Sequence, residues 1–155
     1  MAVLCFSHIA IRVTDLERSR RFYRDALEFR ELTELEIAGG PTAMLLDQPD
    51  LLLRAVFLER DGTQVELQEL DLSDEPKAVG WTRVGLAHFG LRVDDVDAML
   101  ERVVQAGGAV LEASRFRSEA HGSDVVFVTD PDGTYVEIIR AAGDPASPPG
   151  EPVRA

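Results

Sequence analysis

The sequence has few of the features that would place it in several other classes of protein. It contains a single cysteine, Cys5, so no disulfide can form within the chain, which favours a reducing compartment. No apolar run approaches the roughly 18–20 residues that a membrane-spanning helix needs. Residues 1–8 also lack the basic start and long apolar stretch of a signal peptide. We therefore expect a cytoplasmic protein with no membrane segment.

Positive charge is also scarce. Sixteen Lys and Arg oppose 28 Asp and Glu, which gives a net charge of −12, and Lys77 is the only lysine. Nucleic-acid-binding proteins need a surplus of basic side chains to neutralise phosphates, so nucleic acid is not expected as a partner. A small-molecule substrate is expected instead, and an individual arginine in a pocket can still bind an anionic one.

An internal repeat is the strongest feature that the sequence does contain. Residues 7–23, SHIAIRVTDLERSRRFY, resemble residues 87–103, AHFGLRVDDVDAMLERV. Residues 61–67, DGTQVEL, resemble residues 132–138, DGTYVEI. The chain therefore reads as a tandem duplication of one structural unit.

Each copy is predicted to be a β-α-β-β-β module. Thr14 precedes Glu17 by three residues, a capping-box pattern that predicts a helix starting near Asp15. Apolar residues at helical spacing between Val96 and Val104 predict the matching helix of the second copy. Strands are predicted by alternation and turn signals at 4–13, 29–37, 51–59, 63–70, 86–93, 109–113, 124–129 and 134–140. A short extended stretch is predicted at 44–46, within an insertion of the first copy that we expect to overhang a cavity.

The predicted organisation is a first module at 1–72, a linker at 73–85, a second module at 86–142 and a flexible, proline-rich tail at 143–155. Trp81 of the linker is interpreted as a packing residue. Each module alone would leave one sheet face open. The pattern therefore predicts an α+β fold in which the tandem βαβββ modules form a half-open β-barrel around a central cavity, with the helices outside.

Strand alternation places two histidines and two glutamates on the face that does not pack on the helices. These candidate metal ligands are His8, Glu66, His88 and Glu137. A strand histidine is often only a hydrogen-bonded structural residue, and a strand glutamate is often only solvated. Packing alone does not call for the same His and Glu in both copies, whereas a divalent ion with positions left for water or substrate does.

The chain resembles the vicinal oxygen chelate superfamily. This superfamily includes glyoxalase I, methylmalonyl-CoA epimerase, extradiol dioxygenases, fosfomycin-resistance thiol transferases and bleomycin-binding proteins. The resemblance rests on residues 7–23, 87–98 and 128–139, the last reading VTDPDGTYVEII, and it extends over about residues 4–140. It implies a divalent metal ion (Ni, Zn, Co, Mn or Fe). Small members build the complete site within one chain or from the modules of two chains, so a homodimer stays open.

The resemblance also implies an activity. A chain with all four ligands is most similar to bacterial glyoxalase I, a metal-dependent isomerase or lyase. This implies proton transfer alpha to a carbonyl through a metal-stabilised enediolate, with Glu137 or Glu66 as the base. The alternatives are an acyl-CoA epimerase similar to methylmalonyl-CoA epimerase, with a second base at Glu34 or Glu36, an iron-dependent dioxygenase, and a non-catalytic drug- or metabolite-binding protein.

Five further side chains are candidates for substrate contacts. Arg12 and Arg92 occupy equivalent positions beyond the histidines, where they would anchor an anionic group or form salt bridges at the end of the barrel. Gln68 and Tyr135 face the cavity by strand alternation. His121 belongs to an AHG sequence that resembles a loop of the epimerases, and it is otherwise an exposed loop residue.

Overall fold

The computed structural model describes residues 2–72, 80–82 and 84–142. The first module contains β1 (Ile9–Arg12), α1 (Leu16–Arg21) with a π-helical continuation (Phe22–Ala26), β2 (Arg30–Ala38), α2 (Gly40–Leu45), β3 (Leu52–Arg60) and β4 (Thr63–Leu70). The second contains β5 (Phe89–Arg92), α3 (Val96–Gln105), β6 (Ala109–Val110), a 3₁₀ turn (Glu112–Ser114), β7 (Phe116–Ser118), β8 (Ser123–Thr129) and β9 (Tyr135–Arg140). The predicted tail at 143–155 and part of the predicted linker lie outside the described residues. No helix in the described part of the chain is long and apolar enough to cross a membrane.

Each module builds its own mixed sheet. The strand order is β1-β4-β3-β2 in the first sheet and β5-β9-β8-β6 in the second, where β7 also pairs with β8. The first strand of each module runs parallel to the last, and the other pairs are antiparallel. The predicted α+β class with two βαβββ modules is thus confirmed. Over the described residues, the two sheets do not close into a complete barrel.

Helix α1 begins close to the predicted position but has a different cap. The Asp15 carboxylate accepts a hydrogen bond from the Arg18 backbone N–H at 2.9 Å. Thr14, which the capping-box pattern assigned to this role, instead donates its backbone N–H and its hydroxyl to Asp132 of the second module. Asp95 caps α3 in the same way as Asp15 caps α1. A local sequence pattern could not predict that Thr14 would donate its hydrogen bonds to a turn that is distant in the sequence.

The insertion of the first module forms helix α2 rather than the extended stretch predicted at 44–46. Gly39 precedes the helix with a φ of 73°, in the left-handed region that glycine tolerates. Pro41 in the first turn favours a helix there because its φ is already set and it has no N–H to leave unpaired. Ala43 is buried with Leu53 and Ala55 of β3. Helix α2 therefore covers part of one face of the first sheet.

One apolar core joins the two modules. Side chains of both helices meet the helix-side faces of both sheets in a single buried cluster that includes Leu16, Phe22, Leu67, Val103 and Ile138. Because both sheets contribute one face to this core, their other faces point away from it. Strand alternation then decides which side chains lie on those outer faces.

Candidate metal centre

Two histidine–glutamate pairs lie at equivalent positions of the two modules. His8 directly precedes β1, and Glu66 lies on the parallel neighbour β4, opposite Ala10. The Nε2 atom of His8 is 3.1 Å from Oε2 of Glu66. His88 directly precedes β5, and its Nε2 atom is 3.4 Å from Oε2 of Glu137 on β9. The parallel pairing of first and last strands thus joins residues that are far apart in the sequence.

Both pairs lie on the outer faces of their sheets, as strand alternation predicted. Glu66 lies between Val65 and Leu67, which are buried in the shared core, and Glu137 likewise lies between two core residues. Within the described residues there is no cluster of three or more potential metal-ligating side chains. The structure therefore brings the four predicted ligands together as two pairs, not as one centre.

The donor atoms of each pair suit a divalent cation. Imidazole nitrogen and carboxylate oxygen together match the borderline metals such as zinc, cobalt and nickel. Glu66 is only 7% exposed, and His8 is its one ion-pair partner in the described part of the chain. A carboxylate so buried is costly without a counter-charge, which a cation would supply. Each pair would offer two ligands, whereas a catalytic zinc takes about three from the protein, so a zinc site of this kind would need both pairs.

Each pair also has a phenylalanine that the sequence analysis missed. Phe57 lies opposite Glu66 in the β3–β4 ladder, and its ring meets the His8 ring edge-on with centroids 5.3 Å apart. Phe127 occupies the equivalent place in the second module, and its ring meets the His88 ring edge-on at 5.1 Å. The repeat extends to a third residue type, and aligning the strands before each glutamate would have found it.

Trp81 contacts the histidine of the second pair. The sequence analysis had interpreted it only as a packing residue of the linker. Its indole stacks on the His88 ring at 5.4 Å with only 13° between the planes. It also meets Phe127 at 4.9 Å and Tyr135 at 5.1 Å, in both cases edge to face. No periodic pattern marks a linker residue, so the sequence offered no signal for this contact.

Two of the predicted substrate residues lie beside the first pair. Arg12 of β1 is opposite Gln68 of β4, on the outer face that also carries His8. Burial lowers the pKa of the Arg12 guanidinium, and the nearby Glu69 carboxylate offsets part of this effect. Its Nε atom is buried and has no hydrogen-bond partner among the described residues. Arg12 is thus a partly desolvated cation whose Nε–H has no acceptor among the described residues.

The other predicted substrate residues are divided between the site and the surface. Tyr135, the first residue of β9, reaches the second pair through Trp81. Arg92 is exposed at the end of β5, opposite Ile139. His121 is exposed in the turn between β7 and β8. Within the described residues, no contact joins it to either histidine–glutamate pair.

The two glutamates suggested as a second base lie on the helix-side face of the first sheet, opposite the face that carries His8. Glu34 is paired with Val56, a residue of the shared core, and Glu36 with Arg54. The Glu34 carboxylate is 3.1 Å from the guanidinium of Arg20 on α1. Within this module neither carboxylate reaches the face that carries His8.

The sequence is similar to those of known proteins. A family model described as the Glyoxalase/Bleomycin resistance protein/Dioxygenase superfamily matches residues 6–138. The chain is 35% identical over 137 residues to a lactoylglutathione lyase of Haemophilus influenzae, covering 86% of this chain and 90% of the relative. It is 28% identical over 138 residues to an ethylmalonyl-CoA/methylmalonyl-CoA epimerase of Cereibacter sphaeroides, covering 85% of this chain and 94% of the relative.

A solved structure supports the same fold. The crystal structure of a glyoxalase family protein from Bacillus cereus superposes with a TM-score of 0.77 at 14% identity, covering 92% of this chain and 97% of that one. At such low identity, this similarity shows the fold alone. The family is shown instead by the family model, which matches most of the sequence. The chain therefore belongs to the Glyoxalase/Bleomycin resistance protein/Dioxygenase superfamily.

Proposed function

We propose that this protein is a metal-dependent isomerase or lyase of the glyoxalase I-like type, which moves a proton alpha to a carbonyl. The observation that carries the proposal is the repeated pair, in which a histidine Nε2 lies within 3.4 Å of a glutamate Oε2 in each module. The relatives named lactoylglutathione lyase and epimerase support the same reaction type. The exposed thiol of Cys5 is compatible with the cytoplasmic location that we propose.

The ligands of the proposed metal are His8, Glu66, His88 and Glu137. A bound divalent ion would supply a Lewis acid that stabilises negative charge on the substrate oxygen. Each of the two imidazoles meets a phenylalanine ring edge-on, which restricts its rotation. The two carboxylates are then the groups available for proton transfer.

We assign the base to Glu137 rather than to Glu66. The Glu137 side chain is 25% exposed, whereas that of Glu66 is 9% exposed. A base must reach a proton on a substrate that enters from solvent, so the more accessible carboxylate is better placed. Glu137 takes the proton from the carbon next to the carbonyl and returns it to the adjacent carbon. Glu66 would serve as a ligand of the bound metal and not as the base.

The substrate that we propose carries an anionic group. Arg12 lies on the outer face of the first sheet, beyond His8, and its partly buried guanidinium retains an Nε donor without a partner among the described residues. A guanidinium with spare donors suits a carboxylate or phosphate. Gln68, beside it, offers an amide to the same group.

The experiment is solvent-deuterium exchange, followed by mass spectrometry, on apo and metal-loaded protein. One arm offers hemithioacetals of glutathione, and the other offers 2-substituted acyl-CoA thioesters. We expect metal-dependent exchange at the carbon next to the carbonyl in the hemithioacetal arm. Exchange confined to the acyl-CoA arm would favour the epimerase alternative, and no metal-dependent exchange in either arm would refute the proposed reaction for these substrates.

Replacing the two carboxylates separates the base from the ligand. Glu137→Gln keeps an oxygen for the metal but cannot accept a proton, so we expect exchange to fall by about 10²–10⁴-fold. The matched variant Glu66→Gln should retain more exchange than Glu137→Gln when both are fully metal-loaded. The opposite ranking would assign the base to Glu66.

We further propose that two copies of the chain complete the site, because the described residues form two separate pairs on outer faces. The test mixes two inactive chains, His8→Ala/Glu66→Ala and His88→Ala/Glu137→Ala, after denaturing and refolding them together. A site shared between copies predicts recovery of about a quarter of wild-type activity, since half of the dimers are mixed and each holds one intact site. A site within one chain predicts no recovery.

A further inference from the structure

We infer that Trp81 is a positioning residue for His88 and replaces the hydrogen bond by which Ser7 orients His8. The inference rests on the proposed function, since it treats His88 as a metal ligand. It arises from a difference between two half-sites that are otherwise built alike. Each has a histidine, a glutamate and a phenylalanine, but their histidines are held in different ways.

In the first half-site a hydroxyl orients the histidine. Ser7 Oγ lies 2.9 Å from His8 Nδ1 and makes a hydrogen bond with it. The ring of Phe57 meets the imidazole edge-on, at 87° to its plane. Histidine ligands are commonly fixed through the ring nitrogen that does not face the metal, and Ser7 serves this purpose for His8.

In the second half-site this hydrogen bond is missing. Ala87 occupies the position equivalent to Ser7 and has no hydroxyl. The Nδ1 atom of His88 is buried, and it has no hydrogen-bond partner within the described part of the chain. Phe127 meets the imidazole edge-on at 84°, as Phe57 does in the first module. Without a further contact, the His88 ring would be fixed by Phe127 and Glu137 alone.

Trp81 supplies the further contact. Its indole covers the His88 imidazole nearly in parallel, at 13°. The indole is itself held by Phe127 and Tyr135, whose planes are turned 72° and 80° from it. Stacked and edge-on aromatic contacts have preferred geometries, so they restrict rotation of the imidazole about its side-chain bonds. The rings thereby keep His88 Nε2 directed toward Glu137, 3.4 Å from its carboxylate.

Zinc affinity, measured by calorimetry, tests this role in the full-length protein. In Trp81→Ala we expect affinity about 10-fold weaker than in the wild type, the lower end of the effect of removing a group that orients a ligand. Trp81→Phe should retain most of the affinity, because it keeps a ring to stack. Ala87→Ser in the Trp81→Ala background restores the hydroxyl found at Ser7 and should recover part of the loss.

Two additional measurements exclude a merely structural effect. Trp81→Leu keeps a large apolar side chain but no ring, so weakened zinc binding with an unchanged melting temperature assigns the effect to the ring. Trp81 is the only tryptophan of the chain, and it is 47% exposed, so wild-type fluorescence should change as zinc reaches His88. Unchanged zinc affinity in both Trp81→Ala and Trp81→Leu would overturn the inference.

The inference and the proposed function can fail separately. Wild-type protein that binds zinc and loses affinity in Trp81→Leu, but catalyses no exchange, would support the positioning role and refute the reaction. Exchange activity with the same zinc affinity in all Trp81 variants would support the reaction and refute the positioning role. Wild-type protein that binds none of zinc, cobalt, nickel, manganese and iron would refute both.

Discussion

Two buried aspartates at opposite ends of β8 have carboxyl pKa values shifted in opposite directions. Asp124 is 5% exposed and accepts two hydrogen bonds from the Arg115 guanidinium, which lower the pKa of its carboxyl despite burial. Asp130 is 2% exposed and lies beyond the other end of the strand, where burial raises its pKa and hydrogen bonds from backbone N–H groups offset only part of the effect. The environment, not the residue type, therefore decides how each carboxylate contributes to stability.

We predict that Asp124→Asn removes a stabilisation that depends on pH. A carboxyl with a lowered folded-state pKa stabilises the fold above its unfolded pKa of about 3.9, and this contribution is lost as the pH falls through the folded value. Asp124→Asn should cost roughly 1–3 kcal/mol at pH 7 and much less at the acid end. Urea unfolding between pH 3 and 7 measures it.

Asp97→Asn is the matched control for this prediction. Asp97 contacts the same Arg115, but its side chain is 69% exposed. An exposed pair of this kind contributes little, so the free energy of unfolding should change by less than about 1 kcal/mol. Equal losses in the two variants at pH 7 would contradict the assignment to Asp124.

The end of α3 and the π-helical continuation of α1 approach each other at a glycine. Gly108 follows α3, and a Cβ built there would lie 2.5 Å from the Thr129 carbonyl oxygen. It would also lie 2.6 Å from the Phe22 ring and 2.8 Å from Val103. The close approach of helix, strand and first-module aromatic ring is therefore possible only because this residue has no side chain.

We predict that Gly108→Ala destabilises the fold by about 1–3 kcal/mol, because backbone and buried side chains must shift to admit the methyl group. Gly80→Ala is the control, since a Cβ there meets nothing within 4 Å among the residues that the structure describes. Thermal unfolding of both variants gives the comparison. A Gly108→Ala protein as stable as Gly80→Ala would show that the approach can relax without cost.

At the scale of the whole molecule, a polar cluster fixes the first module on the second. The turn after β8 presents Asp132 to the Arg18 guanidinium at 2.7 Å and to the Ser19 hydroxyl at 3.1 Å. The buried Tyr23 hydroxyl donates to Asp130 at 3.1 Å, and burial raises the pKa of that phenol well above its usual value. The second helix has no matching hydroxyl, because its residue equivalent to Tyr23 is Val103. The hydrogen bonds to Asp130 and Asp132 thus join the first helical segment to the turn after β8.

We predict that Tyr23→Phe loosens this contact between the modules. The change leaves the ring in the core but removes a donor from a carboxylate that is 2% exposed, which should cost about 1–3 kcal/mol. Tyr135→Phe serves as the control, because its hydroxyl makes no hydrogen bond among the described residues. Denaturant unfolding of the two variants tests the prediction, and equal stabilities would contradict it.

Much of the fold and of the candidate site could be predicted from the sequence. The alternation of each strand placed His8 and Glu66 on one face, and the repeat placed their counterparts on the other sheet. This works because side chains alternate along a strand and because a duplicated sequence folds twice under the same local rules. The helix α2 and the capping residue Asp15 were not predicted, since each depends on a partner or turn that local patterns do not specify.

The sequence by itself determined the two modules, the faces of their strands and the identity of the four candidate ligands, because these follow from periodicity and repetition. Only the tertiary structure decided that the candidate ligands meet as two pairs and that Trp81 lies against His88. It also decided that the Asp132 carboxylate accepts hydrogen bonds from side chains of the first helix. The physical reason is that these contacts join segments far apart in the chain, and their geometry is set by how the two sheets and helices pack into one core.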